Sequence, residues 1–252
     1  MNYPNFSKNA ILFSLVVAFQ FCFINPITAQ MRQVYIDDNS DNAVKKLSFV
    51  SPSEGYVAFH SWIGYTQDSG RTFAKKFITL NNVDYNGYSV NLTFGFSING
   101  VKAFDKNTIL VYGDYGFVPA MLYSTNGGNN FKLIYHSQNT FVPEGGIADV
   151  IFPQNNGTGY AVDPNRILKT IDNGITWSEI KMTYGSGFTN LEAVDNATIF
   201  AMSSGVYTSK LLKSTNGGQN WQDVALPIAE WNFILRTLPQ CEYRLAGYAE
   251  WQ

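Results

Sequence analysis

The chain has 252 residues, a formal net charge of −2 and only 14% charged side chains. Its basic residues are scattered rather than clustered, which argues against a nucleic-acid partner. Aromatic residues make up 15% of the chain. No long stretch has helical periodicity between capping residues, so the composition predicts an all-β fold.

The first 29 residues have the layout of a secretory signal peptide. Lys8 precedes an apolar run over residues 10–24, and Ile27-Thr28-Ala29 ends on a small residue. A positive start, a short apolar core and a small residue before the cleavage point are the signals of export. A membrane span needs a longer run of ~20 apolar residues. We expect a signal peptide over 1–29 and a secreted, periplasmic or cell-surface domain over 30–252 without a membrane span. An uncleaved anchor is the alternative.

The cysteines and histidines do not predict a metal site. Cys22 lies within the expected signal, so Cys241 stands alone and no intramolecular disulfide is expected. Stability must then come from a large core or from closure of a ring. His60 and His136 are the only histidines, too few to form a metal cluster with one cysteine. We therefore expect neither a metal nor a cofactor.

Four segments share the pattern [ST]-x-[DN]-x-G-x-[TN]-[WF]. They are Thr66–Phe73, Ser124–Phe131, Thr170–Trp177 and Ser214–Trp221. Their glycines lie 58, 46 and 44 residues apart, a spacing that suits one four-stranded blade of a β-propeller each. Each segment is predicted to be the turn between the third and fourth strands of a blade.

The residue types at three positions of the pattern explain this turn. An Asp or Asn accepts hydrogen bonds from turn amides, a Gly adopts positive φ, and an aromatic residue is buried between sheets. These structural residues are Asp68, Gly70, Phe73, Asn126, Gly128, Phe131, Asp172, Gly174, Trp177, Asn216, Gly218 and Trp221.

The strands upstream of the four segments are of two alternating types. Gly55–Ala58, Gly159–Val162 and Gly247–Ala249 begin Gly-Tyr and follow a proline, whereas Ala103–Ile109 matches Ala193–Ile199. Blades are therefore expected at about 46–80, 98–137, 146–183 and 188–226, with a partial fifth blade over 229–252. The chain either closes as a ring with an incomplete fifth blade or is truncated, and we favour truncation.

The repeated segments resemble the BNR/Asp-box repeat. Ser214–Trp221 is similar to the usual form Ser-x-Asp-Gly-Gly-x-Thr-Trp, and the Gly-Tyr strand most resembles propellers of the photosystem II assembly/stability factor type. That type also occurs in exported bacterial proteins. Sialidases, xyloglucan-active glycoside hydrolases and sortilin-type receptors have the same box. The resemblance implies a β-propeller whose boxes are structural and lie away from any catalytic centre.

The resemblance leaves the function open among three classes. Sialidases have an arginine triad and an Arg-Ile-Pro segment that this chain lacks, and Arg71 lies inside a box. We expect an exported, non-catalytic propeller that binds protein or carbohydrate as an assembly module, with no catalytic residue. The first alternative is a glycoside hydrolase fragment, with carboxylates among Asp114, Glu144, Asp163 and Glu192. The second is a repeat segment of a surface adhesin.

A ligand is expected on the face opposite the boxes, where the loops between strands 2 and 3 and between blades gather. The predicted binding residues are Trp62, Tyr115, Phe117, Arg166 and Tyr207, together with the aromatic stretch from Tyr85 to Phe96. Aromatic side chains in exposed loops suit contacts with protein or sugar. The alternative is that several of them pack into neighbouring blades.

Overall fold

The computed structural model describes residues 43–85, 88–93, 95–137, 145–154, 156–182, 187–204 and 209–225. Within these ranges every regular element is a β-strand, which confirms the all-β prediction. This part of the chain has no helix long and apolar enough to cross a membrane. The predicted signal peptide, Cys241 and the predicted partial fifth blade lie outside the described residues.

Four sheets each consist of four consecutive antiparallel strands, as predicted. Blade 1 contains β1 (Lys46–Phe49), β2 (Gly55–Ala58), β3 (Trp62–Thr66) and β4 (Ala74–Phe77). Blade 2 contains β7 (Phe96–Ala103), β8 (Ile109–Tyr115), β9 (Val118–Ser124) and β10 (Lys132–His136). Blade 3 contains β11 (Asp149–Ile151), β12 (Gly159–Val162), β13 (Arg166–Thr170) and β14 (Ser178–Met182). Blade 4 contains β15 (Phe188–Ala193), β16 (Ile199–Ser204), β17 (Ser209–Ser214) and β18 (Gln222–Val224).

A fifth, two-stranded sheet lies between blades 1 and 2 in the sequence. It pairs β5 (Thr79–Tyr85) with β6 (Tyr88–Thr93). The assignment of the aromatic stretch from Tyr85 to Phe96 to a loop was therefore wrong. Two runs of β-forming residues flank Asn86-Gly87, and this dipeptide is a strong signal for a two-residue hairpin turn.

The first strands of successive blades contact one another: β1 contacts β7, β7 contacts β11, and β11 contacts β15. The first strand is therefore the innermost strand of each blade. The buried Asp149 connects three blades at this centre. Its Oδ1 accepts a hydrogen bond from Lys46 Nζ of blade 1 at 2.9 Å, and its Oδ2 accepts one from Leu191 N of blade 4 at 3.1 Å.

Blades 2, 3 and 4 each begin with a similar backbone hydrogen bond to the blade before them. The amide at the start of a blade donates to a carbonyl of its predecessor that lies in the turn between strands 2 and 3 or, in blade 2, near the end of strand 2. These pairs are Ile98 N to His60 O at 2.8 Å, Ile147 N to Gly113 O at 2.8 Å, and Phe188 N to Pro164 O at 3.2 Å. The repeated link sets the same packing step between neighbouring sheets.

Apolar clusters fill the spaces between adjacent sheets. Ile63 and Ile98 belong to the cluster between blades 1 and 2, and Tyr112 and Leu168 to the one between blades 2 and 3. Each fully buried side chain of this size contributes about 1.5–3 kcal/mol. Packing between blades is therefore the main source of stability.

Candidate binding site

The four repeated segments each form the turn between the third and fourth strands of a blade. In blade 1, Thr66 Oγ1 accepts a hydrogen bond from Gly70 N at 2.9 Å and donates one to Asp68 Oδ1 at 2.9 Å. Asp68 in turn accepts hydrogen bonds from Thr72 N at 2.9 Å and from Thr72 Oγ1 at 2.7 Å. These hydrogen bonds from the Thr72 backbone and side chain lower the pKa of Asp68 to about 2.

The other three turns repeat this arrangement with small changes. Asp172 of blade 3 accepts from Thr176 N at 2.9 Å and Thr176 Oγ1 at 2.6 Å. Asn126 and Asn216 of blades 2 and 4 each accept one backbone amide at 2.9 Å. The polar side chains of the boxes are thus used within the turns themselves, which gives them a structural role.

Two successive residues have positive φ in every one of these connections, as in the centre of a type I′ turn. The second is the shared glycine, with φ between 77° and 86°. The first is a glycine in blades 2 and 4, but it is Ser69 in blade 1 with φ of 62° and Asn173 in blade 3 with φ of 59°. The sequence pattern predicted positive φ only at the shared glycine.

The two alternating blade types differ in how they distribute volume across strands 1 and 2. In blade 1, Phe49 lies opposite Gly55, and a Cβ on that glycine would be 2.6 Å from the Phe49 ring. In blade 3, a Cβ on Gly159 would be 2.5 Å from the Phe152 ring. Blades 2 and 4 instead pair alanine with isoleucine, as Ala103 with Ile109 and Ala193 with Ile199. The glycine of the Gly-Tyr motif therefore makes room for a phenylalanine ring.

The tyrosine of the same motif joins neighbouring blades. Tyr56 donates its hydroxyl to Lys106 O at 2.7 Å, and Tyr160 donates to Asn196 O at 2.8 Å. Both acceptors lie in the turn between strands 1 and 2 of the following blade. Burial is the main cause that raises the pKa of Tyr56 to about 12, so the hydroxyl stays protonated and able to donate.

A cavity of about 520 Å³ opens where blades 1, 2 and 3 meet, and we define it as the axial cavity. Its walls come from the ends of inner strands, the adjoining turns and one box turn. The lining residues are Phe49, Val50, Lys102, Ala103, Phe104, Phe152, Gln154 and Asn173. Phe49 and Phe152 are the two rings seated on motif glycines, so the alternation of blade types builds this cavity.

Lys102 is the single charged residue among the residues that line the axial cavity. It is half-buried, and burial lowers the pKa of its ammonium group. No described residue accepts a hydrogen bond from this ammonium or forms an ion pair with it. The rings of Phe104 and Phe152 lie nearby, edge to face, with centroids 4.8 Å apart. The cavity therefore combines an uncompensated cation with a mostly polar lining that includes three aromatic rings.

Two of the five predicted binding residues are buried within the blades, so their assignment to exposed loops was wrong. Trp62 is 3% exposed and stacks on Phe59 with ring centroids 3.8 Å apart. Arg166 is 4% exposed and donates from Nη1 to Asp163 Oδ2 at 2.9 Å. Both residues begin the third strand of their blade. Ring packing holds the side chain of Trp62 in blade 1, and an ion pair within the blade holds that of Arg166 in blade 3.

The remaining predicted residues have different environments. Phe117 is 65% exposed, has φ of 68°, and lies in the turn between β8 and β9. Tyr115 ends β8 and packs partly against the core between blades 1 and 2. Tyr207 lies outside the described residues. Tyr115 and Phe117 thus share one turn, whereas Trp62 and Arg166 belong to other blades.

The candidate carboxylates and histidines that the structure describes do not gather into a metal site. Asp114 accepts a hydrogen bond from Phe117 N at 3.1 Å, Asp163 is paired with Arg166, and Glu192 is exposed on β15. Glu144 lies outside the described residues. Within the described ranges, no three His, Cys, Asp or Glu side chains are close enough together to hold a metal ion.

Comparison with known proteins relates the fold, but not the sequence, to other chains. No family model matches the sequence, and no curated protein matches it. The GH74 enzyme of Niastella koreensis matches with a TM-score of 0.52 and 17% identity, over 71% of this chain and 30% of that chain. YCF48 from Cyanidioschyzon merolae matches with a TM-score of 0.53 and 18% identity, over 77% of this chain and 59% of that chain.

A third match is the extracellular domain of the hybrid two-component system BT4673 from B. thetaiotaomicron. Its TM-score is 0.55 at 12% identity, over 78% of this chain and 23% of that chain. This chain therefore spans less than two thirds of each of these three structures. At such identities the matches establish the fold. Together with the four box turns, they define an Asp-box-like β-propeller.

Proposed function

We propose that this chain is an exported, non-catalytic propeller of the BNR/Asp-box type that binds a protein or a glycan as an assembly module. The use of its carboxylates carries this proposal. Glycoside hydrolysis requires two carboxyl groups beside the substrate, one of them kept protonated by a raised pKa. In the described residues Asp68, Asp105, Asp172 and Asp195 instead accept hydrogen bonds within turns, and Asp149 accepts them between blades.

Four aspartates illustrate this use. Hydrogen bonds from turn residues lower the pKa of Asp68, Asp105 and Asp195, chiefly those from the backbone amides of Thr72, Asn107 and Thr198 respectively. Burial alone would raise the pKa of Asp172, but hydrogen bonds from its turn outweigh burial and lower it. A carboxyl held in its charged form by a turn is poorly suited to act as a general acid.

Export is supported by the signal-like layout of residues 1–29. The fold is also found in an extracellular domain. The axial cavity is the candidate binding site, because it joins three blades and has both an unpaired cation and aromatic rings in its lining. A hydrolase function has the GH74 match in its favour, but that match concerns the fold alone.

The test uses the full chain, expressed with its own N-terminal segment and recovered after export. Expected results are recovery outside the cytoplasm, saturable binding on a glycan array or capture of a defined partner from an envelope extract, and no hydrolysis of aryl glycosides above the blank. Hydrolysis that falls by more than tenfold in Asp163→Asn or Glu192→Gln would reject the proposal in favour of a glycosidase. Lys210→Met, which removes an exposed charge on β17, serves as the control for both readouts.

A further inference from the structure

We propose that the axial cavity binds an acidic polypeptide segment, with Lys102 receiving a carboxylate and the rings of Phe49, Phe104 and Phe152 receiving an adjacent apolar side chain. This inference rests on the proposed function, because it names the ligand class of a binding propeller. It differs from the sequence-based expectation, which put the ligand on the face opposite the boxes.

The aromatic wall is a built feature of the fold. Phe49 and Phe152 occupy equivalent positions in blades 1 and 3, and each needs a glycine opposite it. The equivalent position of blade 2 is the small Ala103, which leaves open space between the two rings. Phe49 remains exposed although it is large and apolar. Covering an exposed apolar side chain with a ligand removes apolar surface from water and therefore favours binding.

The charge of the site favours an anionic ligand. A half-buried ammonium has lost part of its hydration, and without an acceptor this loss is not compensated. The remaining polar lining side chains, Gln154 and Asn173, are neutral. Burial also lowers the pKa of Lys102, and a bound carboxylate would reverse that effect because an opposite charge favours the ammonium form.

The chemical groups of the wall favour a peptide over an acidic sugar. Most of the accessible wall is polar, and the side-chain amides of Gln154 and Asn173 can pair with the backbone N–H and C=O groups of a peptide. A sugar acid has many hydroxyl groups that need hydrogen-bond partners when they are buried. A short peptide needs one cation for its carboxylate, amide partners for its backbone and an exposed ring such as that of Phe49 for one apolar side chain. The volume of about 520 Å³ is suitable for a group of that size.

The experiment measures binding of two fluorescein-labelled peptides to the full chain by fluorescence polarisation. The first alternates Glu or Asp with Phe and Leu, and the second replaces every acidic residue by its amide. We expect saturable binding of the acidic peptide and at least about tenfold weaker binding of the amide peptide.

Lys102→Met should weaken binding of the acidic peptide about tenfold or more, Lys102→Arg should retain most of that binding, and Phe152→Leu should weaken it. Lys132→Met, on the exposed strand β10 outside the cavity, is the matched control and should leave binding unchanged.

Three results would overturn the inference. They are equal binding of both peptides, unchanged binding of the acidic peptide by Lys102→Met, or tighter binding of digalacturonate, an acidic disaccharide that represents a sugar-acid ligand, than of the acidic peptide. Thermal unfolding of each variant shows whether a loss of binding reflects loss of the fold, and Lys102→Arg rescue separates charge from packing. If wild type and Lys102→Met capture the same partner from an envelope extract equally well, the proposed function stands and this site assignment fails. If neither captures a partner and aryl glycosides are hydrolysed, the proposed function itself fails.

Discussion

Blades 2 and 4 have the same strand pattern and the same Asn-type box turn, but their sheets are covered to different extents. Strand pairing places Tyr112 of blade 2 at the position of Met202 in blade 4, three residues beyond Ile109 and Ile199. Tyr112 is 1% exposed because blade 3 packs against it, whereas Met202 is 49% exposed.

The box turns of the two blades are nevertheless nearly identical. The amide of the shared glycine donates to the serine hydroxyl at 2.9 Å in both, and the asparagine accepts one amide at 2.9 Å in both. Local hydrogen bonds therefore determine the hairpin, and the neighbouring sheet determines the core. This separation predicts that turn residues and face residues respond differently to substitution.

The largest expected effect compares two methionines, one on the face of blade 2 that blade 3 covers and one on the corresponding exposed face of blade 4. Met121 of blade 2 is completely buried, and Met202 of blade 4 is half exposed. Met121→Ala should lower the free energy of unfolding by about 2–5 kcal/mol because it leaves a cavity. Met202→Ala should change it by only about 0.5 kcal/mol. Urea denaturation measures both. Equal losses would break the comparison, because they would mean that the blade 4 face is packed in solution.

The next effect tests the difference between the phenylalanine–glycine pair of blades 1 and 3 and the alanine–isoleucine pair of blades 2 and 4. Gly159→Ile should destabilise blade 3 by about 1–3 kcal/mol, because the new side chain overlaps the Phe152 ring. Adding Phe152→Ala creates the alanine–isoleucine pair of blade 2 and should recover part of that loss. A double-mutant cycle from urea denaturation gives the coupling. Simple additivity of the two losses would show that these positions do not share one space.

The sequence predicted the parts of this fold that depend on neighbouring residues. The four box turns need only the hydrogen-bonding types and glycines of an eight-residue segment, so their pattern is visible in the chain. The β5–β6 hairpin has an equally local signal in Asn86-Gly87. It was missed because the long spacing between the first two boxes was assigned to a loop.

The candidate site depended on relations that the sequence does not display. The axial cavity is lined by residues from three blades, and Lys102 reads as an ordinary residue of an inner strand until those blades are placed together. Trp62 and Arg166 lie next to predicted loops, but the sequence does not indicate which way each side chain points. Pairing of Phe49 with Gly55 across two strands was the one local signal that could have indicated the aromatic wall.

A smaller effect distinguishes the aspartate box of blade 1 from the asparagine box of blade 2. Hydrogen bonds hold the pKa of Asp68 at about 2 in the folded chain, below its ordinary value of about 3.9 in an unfolded chain. Because the folded pKa is the lower one, the stabilisation is present above about pH 4 and is lost as the pH falls towards about 2. Asp68→Asn should therefore reduce the loss of stability between these pH values. Urea midpoints at a series of pH values measure this, and parallel curves for wild type and variant would contradict it.

The smallest expected effect tests the first of the two residues with positive φ in a box turn. Ser69 adopts a φ of 62° where blade 2 has Gly127 with a φ of 67°. A left-handed conformation costs a non-glycine residue about 1–2 kcal/mol, and glycine loses about 0.5–1 kcal/mol through its greater freedom in the unfolded chain. Ser69→Gly should therefore stabilise the fold by a net of about 0.5 kcal/mol, as these two effects oppose each other. Gly127→Ala should destabilise it, because it introduces the strain that glycine avoids and brings a Cβ within 3.2 Å of the Tyr56 hydroxyl. Thermal unfolding of the two variants should move the Tm in opposite directions, and a shift in the same direction would show that backbone strain does not govern this turn.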